Sequence, residues 1–208
     1  AVNGSTRATD VEAGSAAVET RVDGINYYEI ENLNLVLGEG DDVLNVRGTT
    51  ATTDVALGDG DDRIYVSSTA DIGLDTATGF LTGHLHDLAG GLNIDAGTGR
   101  GLLMVSDEAS TLDNGDIVIT DQPAGLEPAT AEVAIRGLAG GNDAFGWYDA
   151  AQGTITYRAD ATGSFADGVT IWSGFGDDTI RIDGASVRSG VRTVTTLNTG
   201  LGDDTVYV

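Results

Sequence analysis

The sequence predicts an all-β protein, a parallel β-helix (β-solenoid) with coils of about 20 residues and Gly-x-Gly-Asp-Asp turns on one edge. Two observations predict this fold. A short turn rich in glycine and aspartate recurs along the chain, and apolar residues alternate with polar ones on both sides of it. Strand-turn-strand units that repeat at a fixed period are typical of stacked coils that share one core.

The turn motif reads Gly-x-Gly-Asp-Asp and is followed by x-apolar-x-apolar. Full copies occupy positions 38–42, 58–62, 174–178 and 200–204. A weaker copy at 97–101 has Arg100 where an acid would stand, and another at 140–143 keeps only Asp143. The second glycine falls at 40, 60, 99, 141, 176 and 202, which gives steps of 20, 39, 42, 35 and 26 residues. The first step is one coil, the next two are close to two coils each, and the last two imply insertions.

This spacing predicts a single β-solenoid module over residues 1–208, with irregular coils or insertions at 67–91 and 106–168. The chain lacks an initiator methionine and stops on a strand-like segment, so we expect it to be a fragment of a longer chain.

The residues that flank the turns alternate as β-strands do. Leu44 and Val46 share one face, and Ile64 and Val66 repeat that pattern one coil later. The same alternation recurs in five further pairs: Val55 with Leu57, Leu92 with Ile94, Leu103 with Val105, Val169 with Ile171, and Ile180 with Ile182. We therefore expect apolar columns inside the fold and polar residues outside.

Composition limits the partners. The chain has 33 acidic residues, 10 basic residues that are all arginine, and a formal net charge of −23. Such a surface repels nucleic acid and anionic membranes, whereas cations are its natural counterpart. The chain has no cysteine and no apolar stretch near the length of roughly 20 residues that a membrane helix needs, so neither a thiolate metal site nor membrane insertion is expected.

At these turns the sequence resembles the repeats-in-toxin (RTX) family of calcium-binding repeats and similar segments of large secreted bacterial surface proteins or adhesins. Gly38, Gly40, Asp42 and Leu44 match the family pattern Gly-Gly-x-Gly-x-Asp-x-apolar-x, and the other full copies match it in the same way. The family packs two nine-residue repeats into each coil, whereas this chain has one acidic turn in about 20 residues. The resemblance implies Ca²⁺ as the bound ion, and the longer coil leaves the number of ions open.

The residue types suit calcium. Glycine tolerates the positive φ of a tight turn, and Ca²⁺ prefers six to eight oxygen ligands from carboxylates, carbonyls and water. Two stacked carboxylates about 4.8 Å apart repel each other, and a cation shared between them would replace this repulsion with a net attraction. The predicted carboxylate ligands are Asp41, Asp42, Asp61, Asp62, Asp177, Asp178, Asp203 and Asp204, with Asp143 as a further candidate. The predicted carbonyl positions are Gly38, Gly40, Gly58, Gly60, Gly174, Gly176, Gly200 and Gly202.

Three other interpretations of these residues compete with calcium binding. The acids could form a solvent-exposed acidic surface like that of halophilic proteins. Charges scattered over such a surface would not, however, stand at a fixed number of residues from paired glycines. His84 and His86 have a spacing compatible with zinc, but the chain has no third histidine and no cysteine. Trp147, Tyr148 and Trp172 could form a platform for sugars, although such residues more often cap a solenoid or fill an insertion. Asp107 lies outside any turn motif and is expected to take no part in ion binding.

The sequence therefore predicts a calcium-binding structural or adhesive module of a secreted, cell-surface protein, stiffened by Ca²⁺ between coils. An enzyme is not expected, because the arginines do not cluster over the acids and no nucleophile motif is present. Its expected partners are calcium ions and neighbouring domains or copies of the chain, with glycans as candidates. Two alternatives stay open: a self-assembling surface-layer or filament subunit, and a β-helix that binds or cleaves polysaccharides.

Overall fold

The computed structural model describes residues 2–4, 24–121, 132–139, 153–184 and 195–208, and these residues form strands, turns and loops without a helix. The strands are β1 (Val2–Gly4), β2 (Ile25–Tyr27), β3 (Asn32–Val36), β4 (Val43–Gly48), β5 (Thr52–Ala56), β6 (Arg63–Val66), β7 (Leu92–Asp95), β8 (Gly99–Ser106), β9 (Ile117–Thr120), β10 (Val133–Arg136), β11 (Ile155–Arg158), β12 (Gly163–Trp172), β13 (Thr179–Asp183), β14 (Thr195–Asn198) and β15 (Thr205–Tyr207). Most of them are short and rich in Val, Ile and Thr, whose branched side chains favour extended backbone. The all-β part of the predicted fold class is confirmed for these residues.

The strands form two sheets. The seven-stranded sheet has the order β14-β12-β8-β6-β4-β1-β2, and all its described pairs are parallel. The eight-stranded sheet has the order β15-β13-β9-β10-β11-β7-β5-β3 and is mixed. Apolar residues from both sheets pack into one cluster, so the core lies between the sheets.

The regular parallel β-helix with 20-residue coils is wrong. Strand β10 pairs antiparallel with both β9 and β11, which breaks the parallel order of the eight-stranded sheet. The number of residues that separates one strand from its paired neighbour in the sequence also varies: Leu44 pairs with Ile64, Ile64 with Leu103, and Leu103 with Val169. The prediction failed because the turns repeat while the chain between them does not have a fixed length.

The placement of all acidic turns on one edge is also wrong. The turns at 38–42 and 58–62 lead from the eight-stranded sheet into the seven-stranded one, from β3 to β4 and from β5 to β6. The turns at 174–178 and 200–204 lead the other way, from β12 to β13 and from β14 to β15. The two groups of turns therefore lie at opposite edges of the pair of sheets.

The predicted apolar columns are confirmed. Val46 pairs with Val66, Val66 with Val105 and Val105 with Ile171, and all four side chains are almost fully buried. Because the side chains of a strand alternate between faces, the residues between these positions point away from the core.

Residues 67–91 contain no strand. Leu85 and Leu88 belong to the main core, whereas Ala70, Ile72 and Leu81 pack on the outward face of the seven-stranded sheet. Ile72 is held there by both atoms of the Asn45 amide, since its N–H donates to Asn45 Oδ1 and its carbonyl accepts from Asn45 Nδ2, each at 2.9 Å. Tyr65 and Met104 are buried beneath this segment. Within 106–168, the described residues form β9, β10, β11 and most of β12.

Candidate functional site: the acidic turns

The acidic turns form two groups of stacked turns. The first turn stack contains residues 38–42, 58–62 and 97–101, and the second turn stack contains residues 110–114, 174–178 and 200–204. Backbone hydrogen bonds join consecutive turns, for example from the Asp59 N–H to the Gly38 carbonyl at 3.2 Å and from the Phe175 N–H to the Ser110 carbonyl at 2.7 Å. The sequence therefore places equivalent turn residues above one another.

The glycines allow this close stacking. A Cβ atom on Gly58 would lie 2.0 Å from the Gly38 carbonyl oxygen, and one on Gly200 would lie 1.6 Å from that of Gly174. Gly58 has a φ of +101° and Gly200 of +80°, which other residues rarely adopt. The Gly38 and Gly58 carbonyls accept hydrogen bonds from the Asp59 and Thr98 N–H groups of the next turn, so they are directed along the stack.

The first acid of each turn bonds forward to the following turn. Its carboxylate accepts a hydrogen bond from the backbone N–H at the equivalent position of the next turn. These bonds run from Asp61 N to Asp41 Oδ1 (2.9 Å), from Arg100 N to Asp61 Oδ1 (2.9 Å), from Asp177 N to Asp113 Oδ1 (2.9 Å) and from Asp203 N to Asp177 Oδ1 (2.8 Å).

The second acid of each turn bonds backward to the preceding turn. The bonds run from Asp42 N to Asp62 Oδ1 (2.9 Å), from Asn114 N to Asp178 Oδ1 (3.0 Å) and from Asp178 N to Asp204 Oδ1 (3.0 Å). Each stack thus carries two ladders of opposite direction. Because an ionised acceptor strengthens a hydrogen bond, the ladders satisfy turn N–H groups and tie the turns together.

Asp62 and Asp178 are the buried members of these ladders. Their side chains are 0% and 1% exposed, and no described residue donates a hydrogen bond to the Oδ2 atom of either. Burial raises the pKa of Asp62, with further increases from the charges of Asp42, Asp41 and Asp61 and a partial offset from the Asp42 N–H. Burial likewise raises the pKa of Asp178, opposed by hydrogen bonds from the Ser173 side chain and from the backbone and side chain of Asn114 and assisted by the charge of Asp204. Each stack therefore holds an unpartnered buried carboxylate oxygen beside other acids.

Two members of the second turn stack escaped the sequence analysis. Asp113 and Asn114 follow Leu112 in a turn that lacks the Gly-x-Gly signature, yet they take the first and second acid positions. The only available signal was the Asp113-Asn114-Gly115 turn sequence itself.

Asp107, which is expected to take no part in ion binding, is buried beside the second turn stack. It is 1% exposed, and its Oδ1 accepts a hydrogen bond from the Leu85 N–H at 2.6 Å. Burial raises the pKa of Asp107 to about 7, opposed by hydrogen bonds from Leu85 and Ser110 and assisted by the charge of Asp178. Asp107 therefore belongs to the electrostatic environment of the second turn stack.

The remaining candidates have separate surroundings. The Arg100 side chain pairs with Asp167, with a 2.9 Å hydrogen bond from Nε. The His84 and His86 rings stack at 4.5 Å, and His86 Nε2 lies 3.3 Å from Ser110 Oγ. Trp172 packs edge-on against Phe80, with ring centres 5.0 Å apart.

Asp143 lies outside the described residues, as do Trp147 and Tyr148. Within the described ranges, no three His, Cys, Asp or Glu side chains converge as a ready-made metal site. The same part of the chain has no helix long and apolar enough to cross a membrane.

Comparison of the chain with models of protein families, with curated proteins and with solved structures finds no match.

Proposed function

We propose that this chain is a calcium-binding structural or adhesive module of a secreted cell-surface protein, in which Ca²⁺ stiffens the two turn stacks. The observation that carries the proposal is the unpartnered, buried Oδ2 atom of Asp62 and of Asp178, each beside further carboxylates. A buried ionised oxygen without a partner is costly, and a bound cation would remove that cost.

The acids of the first stack offer the ligand chemistry of a hard cation, although their side chains would have to move closer together to hold one. Asp41, Asp42, Asp61 and Asp62 supply carboxylate oxygens, the ligand type that Ca²⁺ prefers. Their Oδ1 ladder bonds leave further lone pairs available, and water would complete the coordination shell. Asp177, Asp178, Asp203 and Asp204 would play the same part in the second stack, with Asp113 of the adjacent turn as a further acid.

Calcium rather than another cation is supported by the resemblance of the turns to RTX repeats. The excess of acidic residues, with a net charge of −23, also favours cation binding and suits a protein exposed to a calcium-rich exterior. In this proposal the ion screens the repulsion within each stack and crosslinks consecutive turns.

The test compares Asp62→Asn with wild type, with and without calcium. The substituted amide keeps an oxygen to accept from the Asp42 N–H but removes the buried charge. In EDTA at neutral pH this variant should therefore unfold at the same or a higher temperature than wild type. In calcium the wild type should gain stability, by about 2.7 kcal/mol for each site at 100 times Kd, and the variant should lose the gain of the first stack.

Asp75→Asn is the matched control, because Asp75 is exposed in segment 67–91 and the variant carries the same change of charge. It should respond to calcium as wild type does. Magnesium, which demands a strict octahedron and keeps its waters, should stabilise wild type less than calcium does. Equal stabilisation by sodium chloride at the same ionic strength, or no calorimetric calcium binding at millimolar concentration, would contradict the proposal.

A further inference from the structure

A groove crosses the outward face of the eight-stranded sheet, on residues that take no part in the turn stacks. It has a volume of about 270 Å³ and runs over strands β3, β5, β7 and β11. The strand register arranges two rows of side chains along it. One row is Asn34, Asp54, Asn93 and Thr156, and the other is Val36, Ala56, Asp95 and Arg158.

The first row is polar and partly preorganised. Asn93 Nδ2 donates to Asp54 Oδ1 at 2.7 Å, and Thr156 Oγ1 donates to Asn93 Oδ1 at 2.7 Å. These two bonds fix the orientation of the Asn93 amide and leave its second N–H and the other Asp54 oxygen for a ligand. No described residue forms a hydrogen bond with the side-chain amide of Asn34, which is exposed.

The second row supplies an apolar surface and a neutral ion pair. Val36 is 80% exposed and lies beside Ala56, while the Arg158 guanidinium pairs with the Asp95 carboxylate. Asp54 is therefore the uncompensated charge among the described side chains that line the groove. Together with the net charge of −23, it disfavours an anionic ligand.

These features select a ligand that is uncharged, rich in hydroxyl groups and able to cover an apolar surface. Hydroxyls both donate and accept, as the mixed amides and carboxylate of the first row require. The groove runs from strand to strand, and neighbouring strands are about 4.8 Å apart. A polymer that lies along the groove would therefore meet one polar side chain of the first row at each strand. We infer that the groove binds a neutral oligosaccharide, whose sugar faces lie on Val36 and Ala56 while its hydroxyls bond to Asn34, Asp54 and Asn93.

The test is an NMR titration of ¹⁵N-labelled protein with neutral cello-, xylo-, manno- and laminari-oligosaccharides, and with acidic oligogalacturonate and alginate oligosaccharides. At least one neutral series should shift the amides of residues 34–36, 54–56 and 93–95. The acidic sugars should leave them unchanged. The shifts should be the same in calcium and in EDTA, since the groove shares no residue with the acidic turns, and this separates the result from that of the calcium proposal.

A matched pair of variants on β5 locates the site. Ala56→Trp fills the groove and should weaken binding about tenfold or more, whereas Thr52→Trp, on the same outward face but outside the groove, should bind as wild type does. If Ala56→Trp does not fold, Asn34→Ala replaces it in the test, because Asn34 is exposed. Asn34→Ala should also weaken binding. The inference is overturned if no neutral series shifts these amides, if acidic sugars bind equally well, or if the folded groove variants bind as tightly as wild type.

Discussion

At the scale of single residues, the two oxygens of each buried turn carboxylate have different surroundings. The Oδ1 atom of Asp62 accepts the Asp42 N–H, and that of Asp178 accepts the Asn114 N–H. The Oδ2 atom of each side chain is buried without a described partner. A cation bound at Oδ2 would therefore add to the stability that the Oδ1 hydrogen bond contributes to the turn.

The buried Asp107 predicts a dependence of stability on pH. Its pKa rises from 3.8 to about 7 on folding, so the folded protein binds this proton more tightly than the unfolded chain does. The resulting stability is present below the unfolded value and is lost as the pH rises through about 7. The loss should approach about 4 kcal/mol at full ionisation.

Urea unfolding in EDTA between about pH 4 and about pH 8 measures this effect, because the loss accumulates between the unfolded and the folded pKa of Asp107. Asp107→Asn keeps an acceptor for the Leu85 N–H and should flatten the pH dependence. The exposed control Asp75→Asn should retain the wild-type slope. An unchanged slope in Asp107→Asn would show that this carboxyl ionises normally in the folded state.

At the scale of elements, a glycine is required where a turn approaches its neighbour. Gly58→Ala would bring a Cβ atom to 2.0 Å from the Gly38 carbonyl oxygen at a φ of +101°, so we expect a loss of more than about 2 kcal/mol. Gly38→Ala is the control, since its Cβ would meet no atom within 4 Å, and it should change stability by only about 0.5 kcal/mol. Equal losses measured by urea unfolding would contradict the stacking of these two turns.

The strands permit an equally direct comparison of their two faces. Ile180 is fully buried and Arg181, the next residue of β13, is exposed. Ile180→Asn should cost about 4 kcal/mol, because it leaves a cavity and an amide without partners. Arg181→Asn introduces the same side chain on the outward face and should cost less than about 1 kcal/mol. Similar melting temperatures for the two variants would mean that the strand faces are assigned wrongly.

The sequence was informative where local chemistry decides the structure. Paired glycines and acids located the turns, and the alternation of Leu44 with Val46 identified the inward face of β4 correctly. The sequence was uninformative where contacts between residues far apart in the chain decide the structure. Nothing in Val133–Arg136 distinguishes an antiparallel strand from a parallel one, and the burial of Asp107 arises from residues distant in sequence, including Leu85 and Asp178.

At the scale of the whole molecule, the two turn stacks occupy opposite edges of the pair of sheets, with the apolar core between them. Each stack has its own ladder bonds, and no described ladder bond joins the first stack to the second. Calcium bound at one edge should therefore stabilise the protein independently of calcium bound at the other.

Double-mutant cycles on the calcium-induced gain in unfolding free energy test this independence. Asp42 and Asp62 lie in one stack, where the Asp42 N–H bonds to Asp62 and the Asp42 charge raises the pKa of Asp62. Asp42→Asn and Asp62→Asn should each weaken the same site, so the double variant should lose less than the sum, with a coupling of about 0.5–3 kcal/mol. Asp62→Asn and Asp178→Asn change different stacks, and their losses should add to within about 0.5 kcal/mol. Coupling across the two stacks as strong as that within the first would require an ion or a network that spans both edges, and the assignment of a separate site to each stack would then be wrong.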